Sequence, residues 1–143
     1  MSISMASTMA VFVDTCIFVA VRNRKDKNHQ RATELMRTAL KAEFGIVRTS
    51  DYVLDEAVTT ALARTRNHQI AVNTGKYILD SPRIERLSVS QEDFALAWAK
   101  FQSLRDRPLS FTDCTSLALM ERHGIKRILS FDSHFDGLAE RLC

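Results

Sequence analysis

The acidic residues that carry chemical interest in this chain are those placed at the ends of buried elements. Asp14 closes the run Val11, Phe12, Val13, which has no polar alternation and reads as a short strand covered on both faces. Asp132 closes a second such run, Ile128 to Phe131. In open parallel sheets chemistry collects outside the carboxyl ends of the strands, so both carboxylates point at the crevice where a site forms. Asp113 falls in the first turn of an expected helix, within Ser110, Phe111, Thr112, Asp113, Cys114. Asp51, Asp55 and Glu56 fall near the start of another helix, which Ser50 caps. Helical geometry sets Glu56 at the edge of that helix's apolar face and Asp55 on the other side, and periodicity does not choose between them.

Helix capping explains part of this pattern as well as function does. Asp14 is a good N-cap, and Ser110 with Asp113 matches the capping-box spacing, as Ser90 with Asp93 does. Asp132 is a different case, because no convincing helix follows for it to cap. Carboxylates gathered in one pocket repel and raise one another's pKa unless a cation neutralises them. With oxygen ligands and no nearby His or Cys set, that cation is Mg2+ or Mn2+, held by a few carboxylates together with substrate phosphates. Such an ion generates hydroxide and stabilises charge on a phosphate, which is nuclease chemistry.

The elements that must position these acids alternate. A helix is expected from Thr15 to about Arg22, and another over His29 to Ala42, closed by Gly45. Ile46 to Thr49 reads as a weak second strand, and the Ser50 helix carries apolar residues at 53, 54, 57, 58, 61 and 62. Ile70 to Leu79 forms a helix ahead of Pro82, Ile84 to Val89 a third strand, and Ser90 caps a helix to Arg105 that Pro108 ends. Thr112 to His123 is helical up to Gly124, Arg127 to Phe131 is a fourth strand, and the last residues offer a fifth. Strands separated by helices imply parallel pairing with right-handed crossovers.

Composition bounds the rest. The 143 residues, 45% of them hydrophobic, suit one domain with one core. Met1 to Met9 reads as a flexible tail without the pattern of a signal peptide, and no apolar run reaches membrane length. Cys16, Cys114 and Cys143 show no zinc-like spacing and fit a reducing compartment, which points to the cytoplasm. Net charge is only +3, but Arg22, Arg24, Lys25 and Lys27 fall together, and Arg64, Arg66 and His68 form a second basic group. The first group suits phosphate contact, although a solvated face explains it too.

Other strand-end acid chemistries fit less well. A haloacid-dehalogenase phosphatase wants a second Asp two residues after the first, where this chain has Cys16, and a receiver domain wants an adjacent acidic pair and a later Lys. Cys16 and Cys114 each follow an acid closely and read as small buried thiols rather than nucleophiles.

Four segments in order resemble PIN-domain ribonucleases, especially the VapC type of toxin–antitoxin systems: Val13 Asp14 Thr15, Thr49 to Glu56, Ser110 to Asp113, and Leu129 to Asp132. The resemblance spans nearly everything after Met9. It implies an α/β, PIN-like three-layer fold over residues 10–143, with a short central parallel sheet of four to five strands flanked by helices. It also implies a catalytic quartet of Asp14, Glu56, Asp113 and Asp132, which selects Glu56 over Asp55. Asp14, Asp113 and Asp132 would hold Mg2+ or Mn2+, with Glu56 and Asp136 as further ligands. Thr15, Thr112 and Ser130 would orient carboxylates or waters. The implied activity is metal-dependent hydrolysis of RNA phosphodiester bonds by a homodimer that a small antitoxin blocks. The alternatives are a ribonuclease of this fold outside any toxin–antitoxin pair, or a metal-stabilised RNA- or partner-binding module without activity.

Overall fold

The computed structural model describes residues 9–143, so most of the expected flexible tail, residues 1–8, lies outside the described residues. Met9 is exposed, yet its carbonyl already accepts a hydrogen bond from the Ile46 N–H at 3.0 Å. Five strands form one sheet: β1 (Ala10–Val13), β2 (Ile46–Ser50), β3 (Ile84–Leu87), β4 (Arg127–Leu129) and β5 (Glu140–Leu142). Their order is β3-β2-β1-β4-β5, and every pairing is parallel. Six helices flank it: α1 (Thr15–Arg22), α2 (His29–Leu40), α3 (Asp51–Thr65), α4 (His68–Leu79), α5 (Gln91–Ser103) and α6 (Phe111–His123). Helix α1 packs on α2, α3 and α4, α5 packs on α6, and α3 also meets α6.

The apolar run at Val11 to Val13 is the centre of this arrangement. All three residues are fully buried, because β1 has a strand on each side and helices over its faces. Truncating Phe12 to Ala would cost about 3–5 kcal/mol in such a setting. From β1 the chain steps outward to β2 and β3, then returns to place β4 and β5 on the opposite side. Direction therefore reverses between β1 and β4, and their carboxyl ends form the switch point of the sheet, where open α/β folds bind ligands.

Several boundaries differ from the sequence reading, each for a local reason. Helix α2 ends at Leu40, and Ala42 takes a left-handed φ of 64° before the turn at Gly45. Gly45 has φ +89°, and a Cβ there would run into the Met9 carbonyl, so the turn into β2 needs glycine. Strand β2 is a full strand through Ser50, with Thr49 and Ser50 fully buried. Helix α4 starts at His68, because the Asn67 side chain accepts from the Ile70 N–H and caps it. Strand β3 stops at Leu87, and the Val89 N–H instead donates to Asp51 Oδ1 at 3.2 Å. Strand β4 ends at Leu129, since the Phe131 N–H turns to the Cys16 sulfur at 3.4 Å. On α3 the buried stripe is Val53, Ala57 and Ala61, while Leu62 stands 43% exposed rather than buried. No helix among the described residues is long and apolar enough to cross a membrane.

Candidate active site

Asp14 sits where β1 runs into α1. Its N–H donates to the Leu129 carbonyl at 3.0 Å, which extends the β1–β4 ladder by one rung and fixes the residue at the switch point. The side chain is held by three donors. The Thr15 N–H donates to Oδ1 at 2.8 Å, the Ser130 hydroxyl to Oδ2 at 2.7 Å, and the Cys16 thiol to Oδ2 at 3.5 Å. Asp14 is thus both the N-cap of α1 and the buried acid of the cleft, and capping uses only one of its oxygens. Burial pushes its pKa up, the three hydrogen bonds pull against that, and the charge of Glu56 adds to the push.

Asp113 reaches the same place from α6. Its capping box is complete: the Ser110 N–H donates to Oδ2 at 2.9 Å, and Ser110 Oγ accepts from the Asp113 N–H at 3.0 Å. The matching box at Ser90 and Asp93 is equally complete, but Asp93 also makes an ion pair with Arg122 at 2.6 Å. Asp113 has no such cation. It is buried, and burial together with the charge of Asp14 and, more weakly, of Glu56 raises its pKa to about 7, against the pull of hydrogen bonds from Ser110. Two identical capping boxes therefore differ in what faces them, a guanidinium in one case and two carboxylates in the other.

Glu56 projects from the second turn of α3, half-buried beside the Val53 and Ala57 stripe, and makes no ion pair among the described residues. Asp55 on the same helix is exposed, and Asp51 is committed to the Tyr52 and Val89 N–H groups. Asp14, Asp113 and Glu56 are therefore the acids that feel one another.

Asp132 stands at the rim. Ser130 bridges it to Asp14, donating to Asp14 Oδ2 and accepting the Asp132 N–H at 3.0 Å. Contrary to the sequence reading, Asp132 does cap something: a 3-10 turn, Ser133–Phe135, whose His134 N–H donates to Oδ1 at 2.9 Å. His134 Nδ1 lies 2.6 Å from the same oxygen, a contact that sequence reasoning missed and that the Asp-x-His spacing could have suggested. Asp136 points elsewhere. It is exposed, and hydrogen bonds from Arg141 at 2.7 and 3.2 Å occupy both its oxygens and hold its pKa below the usual carboxylate value.

The three expected hydroxyls divide. Ser130 holds Asp14 directly; Thr15 does so through its N–H, while its own Oγ1 is buried without a partner. Thr112 is half-buried, and only its carbonyl is engaged, by the Thr115 hydroxyl at 2.6 Å. Cys16 lies beside Asp14, and burial with that charge drives its thiol pKa up to about 12, which removes it as a nucleophile.

Among the described residues no three His, Cys, Asp or Glu side chains converge tightly enough to make a finished metal cage. The donor set nonetheless fits a hard divalent cation. It offers only oxygens, two of the acids are buried with no basic partner, and the orphaned Thr15 hydroxyl adds an uncommitted oxygen donor beside Asp14.

A parallel sheet whose switch point carries facing, uncompensated carboxylates defines the class of small α/β domains built for phosphate chemistry. The PIN domain family matches residues 11–141, and the chain belongs to that family. It is 32% identical over 126 residues to the 23S rRNA-specific endonuclease VapC20 of Mycobacterium tuberculosis, covering 87% of this chain and 91% of that protein. The crystal structure of VapC20, described as a sarcin-ricin loop cleaving toxin, superposes with a TM-score of 0.78 at 31% identity, over 87% of this chain and 92% of that one. Two more distant structures share the fold. VapBC2 from Rickettsia felis, bound to a DNA fragment of its promoter, matches with a TM-score of 0.66 at 14% identity, over 94% of this chain and 98% of that one. FitAcB from Neisseria gonorrhoeae matches with a TM-score of 0.65 at 13% identity, over 93% and 96%.

Proposed function

We propose that the chain is a metal-dependent endoribonuclease of the VapC type, which cuts an exposed loop of a structured RNA and acts as the toxin of a toxin–antitoxin pair. The observation that carries the chemistry is that acidic charge gathers around buried Asp14 and buried Asp113, Glu56 acting on both and Asp14 on Asp113, while no basic side chain among the described residues pairs with them. The substrate reading is supported by the 32% identity to a ribosomal-RNA endonuclease over most of both chains. Loops are the accessible targets in a folded RNA. A toxin must be restrained in its own cell, so a small antitoxin that covers the cleft belongs to the proposal, as does a homodimer. The whole of residues 10–143 forms the nuclease domain.

In this reading Asp14 and Asp113 hold Mg2+ or Mn2+, with Asp132 as an outer contributor. When bound, such an ion lets the acids ionise together and stabilises the charge that develops on the phosphate. Ser130 and the Thr15 N–H fix the Asp14 carboxylate so that one geometry is presented. Glu56, half-buried and free of ion pairs, is the group placed to orient a water and accept its proton. Asp132 and His134 stand at the rim as a hydrogen-bonded pair. Asp136, tied to Arg141, takes no part.

The test is incubation of purified protein with ribosomal RNA in Mn2+, in Mg2+ and in chelator. Cleavage is expected with metal, and its loss is expected in chelator and in Asp14→Asn. Cutting that survives both would sink the mechanism. A metal-induced rise in stability without any cutting would favour the non-catalytic binding module instead.

A further inference from the structure

We propose that a continuous basic cleft beside the carboxylates is the track for the phosphate backbone of single-stranded or looped RNA, and that Arg64 is the cation at its junction with the active site. The proposal rests on the ribonuclease reading and adds where the strand runs.

One cavity adjoins the rim of the carboxylate site, and a second, larger one adjoins the first. The smaller, about 550 Å3, opens over Cys16, Phe131 and Asp132, and so touches residues that contact Asp14 or rim its pocket; Asp26 lines it as well, beside Lys27 and Arg64. The larger, about 1100 Å3, lies between the end of α1, α2 and α4 and is lined by Arg22, Arg24, Lys25, Arg37 and Arg64. Asn23 and Arg64 line both cavities, so the two are one path with Arg64 at the bend. No acidic residue lines the larger cavity, and Asn67 and Asn73 supply neutral hydrogen-bonding groups along it.

What makes this more than a solvated face is that unpaired cations share one connected concave surface that leads to the rim of the site. Arg48, Lys100, Arg122 and Arg141 each stand against a carboxylate. None of Arg22, Arg24, Lys25, Lys27, Arg37 and Arg64 makes an ion pair among the described residues. Positive charge left unneutralised in a concave cleft focuses the field there and favours a polyanion over a neutral or basic segment. Arg22 also rests over the Tyr77 ring at 5.6 Å, which fixes its guanidinium at the cleft wall. A chain of phosphates following these cations passes Arg64, then Lys27, and arrives at the acids.

The experiment uses Asp14→Asn protein and a fluorescent single-stranded RNA of about 12 nucleotides, the scale of ordinary single-strand sites, across a salt series in chelator. Arg24→Glu with Arg64→Glu should weaken binding at least tenfold and lower the salt slope by about 1.4, the loss of two phosphate contacts. Arg86→Glu with Arg105→Glu, exposed positions lining neither cavity, changes net charge equally and should leave affinity and slope within about twofold of the parent. In otherwise unaltered protein the cleft variants should raise KM far more than they lower kcat. Unchanged RNA affinity in the cleft variant, including the case where it loses only a protein partner, overturns the track. So does an equal loss in the control pair. Failure of the parent protein to cut any RNA would strike the ribonuclease reading instead, because the binding measurement needs no turnover.

Discussion

At the scale of single residues, the site is a problem of charge without compensation. Burial and the charge of neighbouring acids raise the pKa values of Asp14 and Asp113, so metal binding should stabilise the fold by relieving both. At metal near ten times Kd, linkage gives about 1.4 kcal/mol, roughly 3 to 6 °C in Tm for a domain of this size, and Asp14→Asn should remove that response. An equal shift in the variant, read by thermal melting, would place the metal elsewhere. The pH dependence has a definite sign. Between pH 3.8 and about 7 the folded protein keeps a proton on Asp113 that the unfolded chain has lost. Metal-free stability from this residue is therefore full below that window and falls as pH rises through it, while metal affinity climbs over the same range. Melting from pH 4 to 8 in chelator should show the decline, and Asp113→Asn should flatten it. The expected quartet is readable in the sequence only through four short segments taken in order, since none of them singles out its acid alone. The surroundings that tell Asp113 from Asp93 are not readable there, since the two capping boxes share a local pattern and only the tertiary fold brings Arg122 to one of them.

At the scale of elements, the same contrast yields a matched pair. Ser90→Ala and Ser110→Ala each remove an N-cap worth about 1 kcal/mol, so their Tm losses should be similar. Ser110→Ala keeps the backbone N–H that donates to the Asp113 carboxylate but loosens the turn that carries it, and only Asp113 faces the other acids, so only Ser110→Ala should lose RNA cleavage at a temperature where both remain folded. Equal activity losses would mean that the α6 cap has no special bearing on the site. The caps at Ser50, Ser90 and Ser110 were readable because capping is a rule of local sequence. The true ends of β3 and β4 were not, because Asp51 and Cys16, from distant parts of the chain, draw away the Val89 and Phe131 N–H groups two residues on. The turn behind Asp132 was hidden for another reason: three residues are too few to show a periodicity.

At the scale of the whole molecule, alternating elements were enough to expect a parallel sheet, but strand order was not legible. Nothing local in Val11 to Val13 announces that β2 and β4, rather than consecutive neighbours alone, will flank it. The net charge of +3 was equally uninformative, since which cations come to share one cleft is sorted only by folding. The toxin reading belongs to this scale. Induced expression in a bacterial cell should arrest growth for the parent chain and not for Asp14→Asn at matched protein level, and indistinguishable growth curves would remove the toxin claim.

The hydrogen bond from Ser130 to Asp14 joins residues 116 positions apart in the chain. During translation, Asp14 leaves the ribosome long before its anchor has been made. Until β4 emerges, β1 lacks one of its two neighbours and the carboxylate at its end lacks the hydroxyl that holds Oδ2. Fragments left by stalled or aborted synthesis before β4 are therefore expected to be unable to cut, and the hazard of making such a protein begins only once β4 has been made. A restraining partner made earlier or faster than this chain would meet it at the moment it becomes dangerous.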